Sequence, residues 1–443
     1  MSQLAKDITI TLIGRILYIG LALITNIIIA RYLGPTLQGT YQVIILVMSI
    51  SNLIFGLGLN SSNIFIGARH PDKLPFMVGN SLLASVILGL VAILIVELLT
   101  LWIPFYHYLT NVGVPIRLMQ LVLFLLPAML LWNYLKEIIH AVGWILIYNL
   151  LSLALIVTQL VLIIVFSAYQ QDALQNVIFA WVISYIFITI ITIYFALRAV
   201  NFRVGISRSI FNESISFALK NHIGVVTQFL NYRADIFIIG FFYPPAYVGF
   251  YGIATLYAER MWEIPTSIRT ALMFHAASDE EHAAVMTARV TRVVAFLIGI
   301  SCLILAIVSY PFISFAYSKE YLPAVPALLY LLPGVWFFSI GKLLAVYIAT
   351  ENHPEIGSIT GFIALIATII LDLLLIPSMG IKGAAIASSV SYTLSSVIIL
   401  FVFVRMSGIA ITEILVLKRR DLIFLNRIFT RFTNALHRKP APK

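Results

Sequence analysis

Twelve apolar stretches, each near the roughly twenty residues needed to cross about 30 Å of hydrocarbon, recur along this 443-residue chain. They fall at about 8–32, 38–66, 76–103, 115–139, 144–168, 175–198, 214–241, 246–275, 287–315, 323–349, 355–377 and 380–405. A bilayer core offers no water to backbone N–H and C=O groups, so spans of this kind must satisfy their own hydrogen bonds. The expected fold is therefore an all-α polytopic membrane protein of about twelve transmembrane helices. Composition agrees. Only 10% of residues are charged and the mean hydropathy is +1.02, whereas soluble chains average about 25% charged. The single cysteine, Cys302, excludes an internal disulfide framework and lies in an apolar span, where it reads as packing.

The net charge of +10 has a topological explanation and implies no nucleic acid. Sorting the 28 Lys and Arg by the spans puts 18 on one face, including nine from Arg405 onward, and four on the other: Arg31, Arg117, Lys319 and Lys382. Six remain inside spans. Positive charge marks the cytoplasmic side, so both termini are expected there. The linker near Ala199–Glu213 is expected inside and the Pro244-Pro245 turn outside.

That linker divides the chain into an N-terminal six-helix lobe (1–200), a linker (201–213), a C-terminal six-helix lobe (214–406) and a basic tail (407–443). A weak repeat supports the division. ARYLGPTLQGTY at 30–41 aligns without gaps to GFFYPPAYVGFY at 240–251, matching Pro35 to Pro245, Gly39 to Gly249 and Tyr41 to Tyr251. Each copy joins the first and second spans of its half, so the halves read as parallel repeats. In the tail, Leu422, Leu425, Phe429, Phe432 and Leu436 recur at three and four, with arginines mostly elsewhere. This predicts an amphipathic helix on the cytoplasmic leaflet.

Polar residues inside the spans carry the functional signal. On the seventh span Lys220, Gly224, Gln228, Asn231 and Asp235 share one helix face. Tyr251, Thr255, Glu259 and Glu263 make a similar row on the eighth, with Arg260 and Arg269 nearby. The first span places Thr11, Arg15, Tyr18, Ala22 and Asn26 together. A charge at mid-bilayer costs roughly 2.5–3.5 kcal/mol on insertion scales, so such rows belong against protein or a wet cavity. Arg233 and Asp235, two apart, point to different faces and read as structural.

The run NYRADIFIIGFFYPPAYVGFYGIATLYAERMWEIPTSI resembles the start of the second half of a Wzx-type polysaccharide-biosynthesis flippase. Those proteins belong to the multidrug/oligosaccharidyl-lipid/polysaccharide exporter superfamily. The residues carrying the likeness are Tyr232, Arg233, Asp235, Val248, Gly249, Tyr251, Glu259, Trp262 and Pro265. IIIARYLGPTLQGTYQ in the first half and PSMGIKGAAIASSVSY near the end are similar to further family blocks. One departure is that Phe274 is followed by His275-Ala276, where the family often has Pro-Arg. The resemblance implies a two-lobed, MATE-like fold. It also implies a substrate of polyprenyl-diphosphate-linked oligosaccharide, flipped for cell-surface polysaccharide assembly by alternating access.

Such a substrate needs cations for its diphosphate and amides or aromatic rings for its sugars. Arg15, Asn26, Lys220, Gln228, Asn231 and Arg260 are the expected substrate-binding residues. Asp235, Glu259 and Glu263 are the expected acids for coupling to H+ or Na+. Arg260 also reads as an ion-pair partner of those acids. No nucleotide-binding loop is present, and the eight scattered histidines lack metal-ligand spacing. No cofactor, metal or catalytic residue is expected. Two other classes compete. A cation-coupled multidrug exporter would want a less cationic interior than six intramembrane Lys and Arg provide. A membrane enzyme that polymerises or ligates lipid-linked glycans would want a large external loop, which the outer connections are too short to supply.

Overall fold

The computed structural model describes residues 3–169, 172–278, 280–418 and 421, so the predicted amphipathic segment 422–436 lies outside the described residues. The described chain is helical throughout its long elements. In order these are α1 (Gln3–Gly56), α2 (Leu59–Arg69), α3 (Leu74–Leu101), α4 (Ile103–Asn111), α5 (Ile116–Leu123), α6 (Leu126–Ala141), α7 (Ile145–Ser167) and α8 (Ala173–Ala199). There follow α9 (Arg208–Phe242), α10 (Pro245–Arg260), α11 (Glu263–Ser278), α12 (Glu280–Ala316), α13 (Ala324–Thr350), α14 (Glu355–Met379), α15 (Ile381–Ser407) and α16 (Ile411–Leu415). Among the described residues nine helices are long and apolar enough to span a bilayer. The chain is a multi-pass membrane protein.

The first two expected spans run together, and the second and eighth are broken, each departure with a local cause. The first two spans run on as α1 and are separated only by a kink at Gly34, with φ 69° and ψ 171°. Pro35, which follows, cannot donate the next helical bond. The second span breaks again where Leu57 and Gly58 both take positive φ, releasing α2. In the eighth span α10 ends at Arg260 and α11 begins at Glu263. Pro265 lacks an N–H and its ring would clash with the carbonyl four residues back, so the ladder stops there.

Packing divides the chain into two compact units, Met1–Gly252 with Phe312–Pro323, and Ile253–Pro311 with Ala324–Lys443. In the first, α6 packs between α2, α3 and α8, with Leu135, Ile138, Ile139, Met77 and Ile188 in its core. Asn63 on α2 spans this core, donating to Ser81 Oγ and to the Tyr134 carbonyl, both at 3.1 Å. In the second unit α13 packs on α15, and α15 on α14. Gly334 admits the α15 backbone closely and its N–H donates to Ser389 Oγ at 2.7 Å.

The two repeat copies meet face to face inside the first unit. An added Cβ on Gly249 would stand 2.5 Å from the Pro35 carbonyl oxygen, and one on Gly39 would fall on the Pro245 carbonyl. Each glycine thus receives the proline turn of the other copy, a reciprocity that follows the alignment of Pro35 with Pro245 and Gly39 with Gly249.

Candidate transport site

In the first unit the α1–α2 break opens a small pocket of about 110 Å3 with several polar groups on its wall. Asn52, Asn60 and Ser61 come from the broken span, Asn133 from α6 and His222 from α9. Gly58 is required there, because its φ is +70° and His222 Nδ1 would lie 3.2 Å from any Cβ. Asn133 donates to Asn52 Oδ1 at 3.2 Å. His222 is buried, and among the described residues its Nε2 has no hydrogen-bond partner. Leaving a buried polar atom unsatisfied costs about 1–3 kcal/mol, so a group of this kind is one that water or a polar ligand would satisfy. No charge lines the pocket, so its chemistry suits hydroxyls and amides.

The α9 face predicted from spacing grades from exposed to buried. Lys220 is exposed, Gly224 and Gln228 are half-buried, and Asn231 and Asp235 are buried. Gln228 Nε2 is a buried atom with no partner among the described residues. Asp235 accepts a 2.5 Å hydrogen bond from the Tyr251 hydroxyl and another from the backbone N–H of Ile236 at 2.8 Å. Arg233 donates to the Tyr232 carbonyl at 2.9 Å. On α1, Arg15 is exposed. Asn26 is half-buried and accepts from the Tyr317 hydroxyl at 2.9 Å, which places it in a contact with the 312–323 segment. Arg31, one of the four outer cations, caps the end of α12 by donating to the Ala316 carbonyl at 2.7 Å and to that of Phe315.

The second unit gathers a separate charged cluster at the α10–α11 break. Arg260 Nη1 lies 3.3 Å from Glu263 Oε1, the ion pair anticipated as one of its two roles. Glu259, Glu263 and Arg269 interact electrostatically with Lys342 of α13. The Lys342 ammonium rests 4.3 Å from the Trp262 ring centroid and 5.1 Å from that of Phe338. Trp262 is itself held, its indole donating to the Val335 carbonyl at 3.3 Å and packing on Phe338 and Tyr392. Lys342 and Trp262 were not chosen as site residues from sequence. The signal available was the Trp-Glu-Ile-Pro run at 262–265, which marks a helix break and not a cation platform.

Helices are thus interrupted beside polar residues at Leu57-Gly58 and between Arg260 and Glu263. Solved structures share this fold. The lipid II flippase MurJ in an inward closed conformation matches with TM-score 0.70 at 18% identity, over 95% of this chain and 92% of that one. A multidrug resistance MATE family transporter of the MOP superfamily matches in an inward-facing conformation with TM-score 0.68 at 17% identity, over 88% and 94%. In an outward-facing conformation the score is 0.65 at 15% identity, over 91% and 96%. No curated protein sequence matches the chain. Residues 28–326 match the family described as Polysaccharide biosynthesis protein, and the chain belongs to that family.

Proposed function

We propose that the protein flips a polyprenyl-diphosphate-linked oligosaccharide across the bacterial cytoplasmic membrane by alternating access of two six-helix lobes, 1–200 and 214–406. The observation that carries the reading is membership of the polysaccharide-biosynthesis family on a fold shared with a lipid II flippase. The polar groups support it in kind. Asn52, Asn133, His222 and Gln228 offer neutral donors and acceptors suited to glycan hydroxyls, and Arg15, Lys220 and Arg260 offer cations suited to a diphosphate. Asp235, Glu259 and Glu263 are the proposed coupling acids for H+ or Na+. Both termini are proposed to be cytoplasmic.

A MATE-like fold keeps a cation-coupled multidrug exporter as the second reading, and the two differ in the charge of the ligand. The test is binding of lipid-linked oligosaccharide to the purified protein, read by thermal shift, with a lipophilic cationic drug as the alternative ligand. The flippase reading expects stabilisation by the diphosphate-linked glycan, at least a tenfold loss of affinity in Lys220→Gln or Arg260→Gln, and no effect of the drug. Stabilisation by the drug alone would overturn it.

A further inference from the structure

Along α12, Arg289, Arg292, Ala295, Gly299, Cys302 and Ala306 follow one another at spacings of three and four, so they share one face. Two guanidinium groups head that face and small side chains continue it. From Ala295 onward it forms one side of an apolar cavity of about 590 Å3, with Leu332, Pro333 and Trp336 of α13 opposite and Leu415 and Leu417 completing the lining. The Trp336 indole donates to the Ala295 carbonyl at 2.7 Å, and Gly299 leaves room for that ring. A volume near twenty water molecules, at about 30 Å3 each, would hold water only if it were polar. This one is apolar and lies on helices long and apolar enough to span a bilayer, so it suits hydrocarbon and not water.

Its length sets the kind of hydrocarbon. Ala295 to Ala306 is eleven residues, roughly 16 Å at 1.5 Å per residue, which is about half of a 30 Å core. That is one leaflet, the reach of a fatty acyl chain. A polyprenyl carrier chain would overrun it.

The mouth is charged. Arg292 binds Asp421 through two bonds, Nε to Oδ2 at 2.6 Å and Nη2 to Oδ1 at 3.0 Å, and also donates to the Glu413 carbonyl. Arg289 lies 3.4 Å from Asp421, and Lys418 pairs with Glu413. Among the described residues three cations against two carboxylates leave one positive charge. The Arg289 and Lys418 side chains are 46% and 43% exposed, so they can meet a headgroup from the bilayer side.

We propose that this groove is a binding site for an anionic glycerophospholipid. One acyl chain lies between α12 and α13, and the phosphate is held at Arg289 and Lys418 on a mouth built by residues 411–418 and 421. The site requires a membrane but does not depend on the flippase reading.

Cys302, the chain's single cysteine, lies in the groove and reports its occupancy. The full chain in neutral detergent is titrated with phosphatidylglycerol or with phosphatidylcholine of the same chains, and alkylation of Cys302 by N-ethylmaleimide is timed. Phosphatidylglycerol is expected to slow alkylation at least tenfold at concentrations where phosphatidylcholine has little effect. Arg289→Gln with Lys418→Gln is expected to remove most of that difference while leaving the lipid-free rate unchanged. Ala306→Trp, which fills the deep end and spares both cations, is expected to lower the phosphatidylglycerol retained in native mass spectra at least fivefold. Equal protection by the two phospholipids would overturn the proposal, as would retention unchanged in Ala306→Trp. Stronger protection by a polyprenyl phosphate would also overturn it, in favour of the carrier chain as occupant.

Discussion

Gly249→Ala probes the reciprocal contact between the repeat copies. The new Cβ would lie 2.5 Å from the Pro35 carbonyl oxygen, against an ordinary contact of at least 3.4 Å, a shortfall of 0.9 Å. The oxygen belongs to backbone and cannot rotate away, so the turn carrying Pro35 must shift. Overpacking of this kind costs about 1–3 kcal/mol. Alanine in place of a mid-helix glycine gains about 0.5–1 kcal/mol by itself. The net loss for Gly249→Ala is therefore about 0–2.5 kcal/mol. Gly39→Ala should lose more, because its Cβ falls on the Pro245 carbonyl itself. Gly20 supplies the control, being helical with nothing within 4 Å of the position of its Cβ, so Gly20→Ala should hold or gain stability. Thermal unfolding in detergent, followed by intrinsic tryptophan fluorescence, ranks the three. The expected order of melting temperature is Gly20→Ala, wild type, Gly249→Ala, Gly39→Ala, with a few degrees between the extremes. If all three alanine variants melt at or above wild type, the turns do not bear on one another as described.

Hydrogen bonds from Arg292, foremost, hold the Asp421 carboxyl below its ordinary range. A depressed carboxylate contributes stability that is present above its unfolded pKa of about 3.9 and lost as pH falls through the folded value. Wild-type stability should therefore fall on acidification through that window, and Asp421→Asn should start lower at pH 7, by about 3 kcal/mol for a broken buried pair, with less further loss in acid. Cysteines at Arg208 and Ala246 in a Cys302→Ala background should differ in labelling by an impermeant thiol reagent added outside. The proposed orientation expects labelling only at 246. Collapse of the membrane potential, worth about 2.3 kcal/mol per net charge per 100 mV, should slow flipping, and Glu259→Gln should remove the remaining dependence on an imposed ion gradient. One rate under all conditions would make the protein a passive facilitator.

The helical membrane fold is legible in sequence because hydropathy over twenty residues is a sum that single residues barely perturb. The alignment paired Pro35 with Pro245, Gly39 with Gly249 and Tyr41 with Tyr251, and at the first two pairs backbone meets backbone. The break at Leu57-Gly58 was not legible, since two residues with positive φ inside an apolar run leave hydropathy unchanged. It is this break that creates the Asn52–His222 pocket. Helical spacing puts Lys220 through Asp235 on one face of α9, but spacing carries no depth, and the row runs from exposed Lys220 to buried Asp235. Lys342 was invisible as a site residue because its partners lie about 80 positions earlier, on Trp262 and the acids beside it. The mouth of the apolar groove depends likewise on Arg292 meeting Asp421 across a separation of 129 residues.

The most direct test of the central claim is flipping itself. Purified protein is placed in proteoliposomes with a fluorescent polyprenyl-diphosphate-linked oligosaccharide in both leaflets, and a membrane-impermeant reagent that quenches only outer-leaflet label is added. Without flipping about half of the signal survives. The account predicts that nearly all of it is lost with wild-type protein and that Lys220→Gln with Arg260→Gln slows the loss at least tenfold. Survival of half the signal with correctly folded wild-type protein, under an imposed potential and an imposed ion gradient alike, would contradict it.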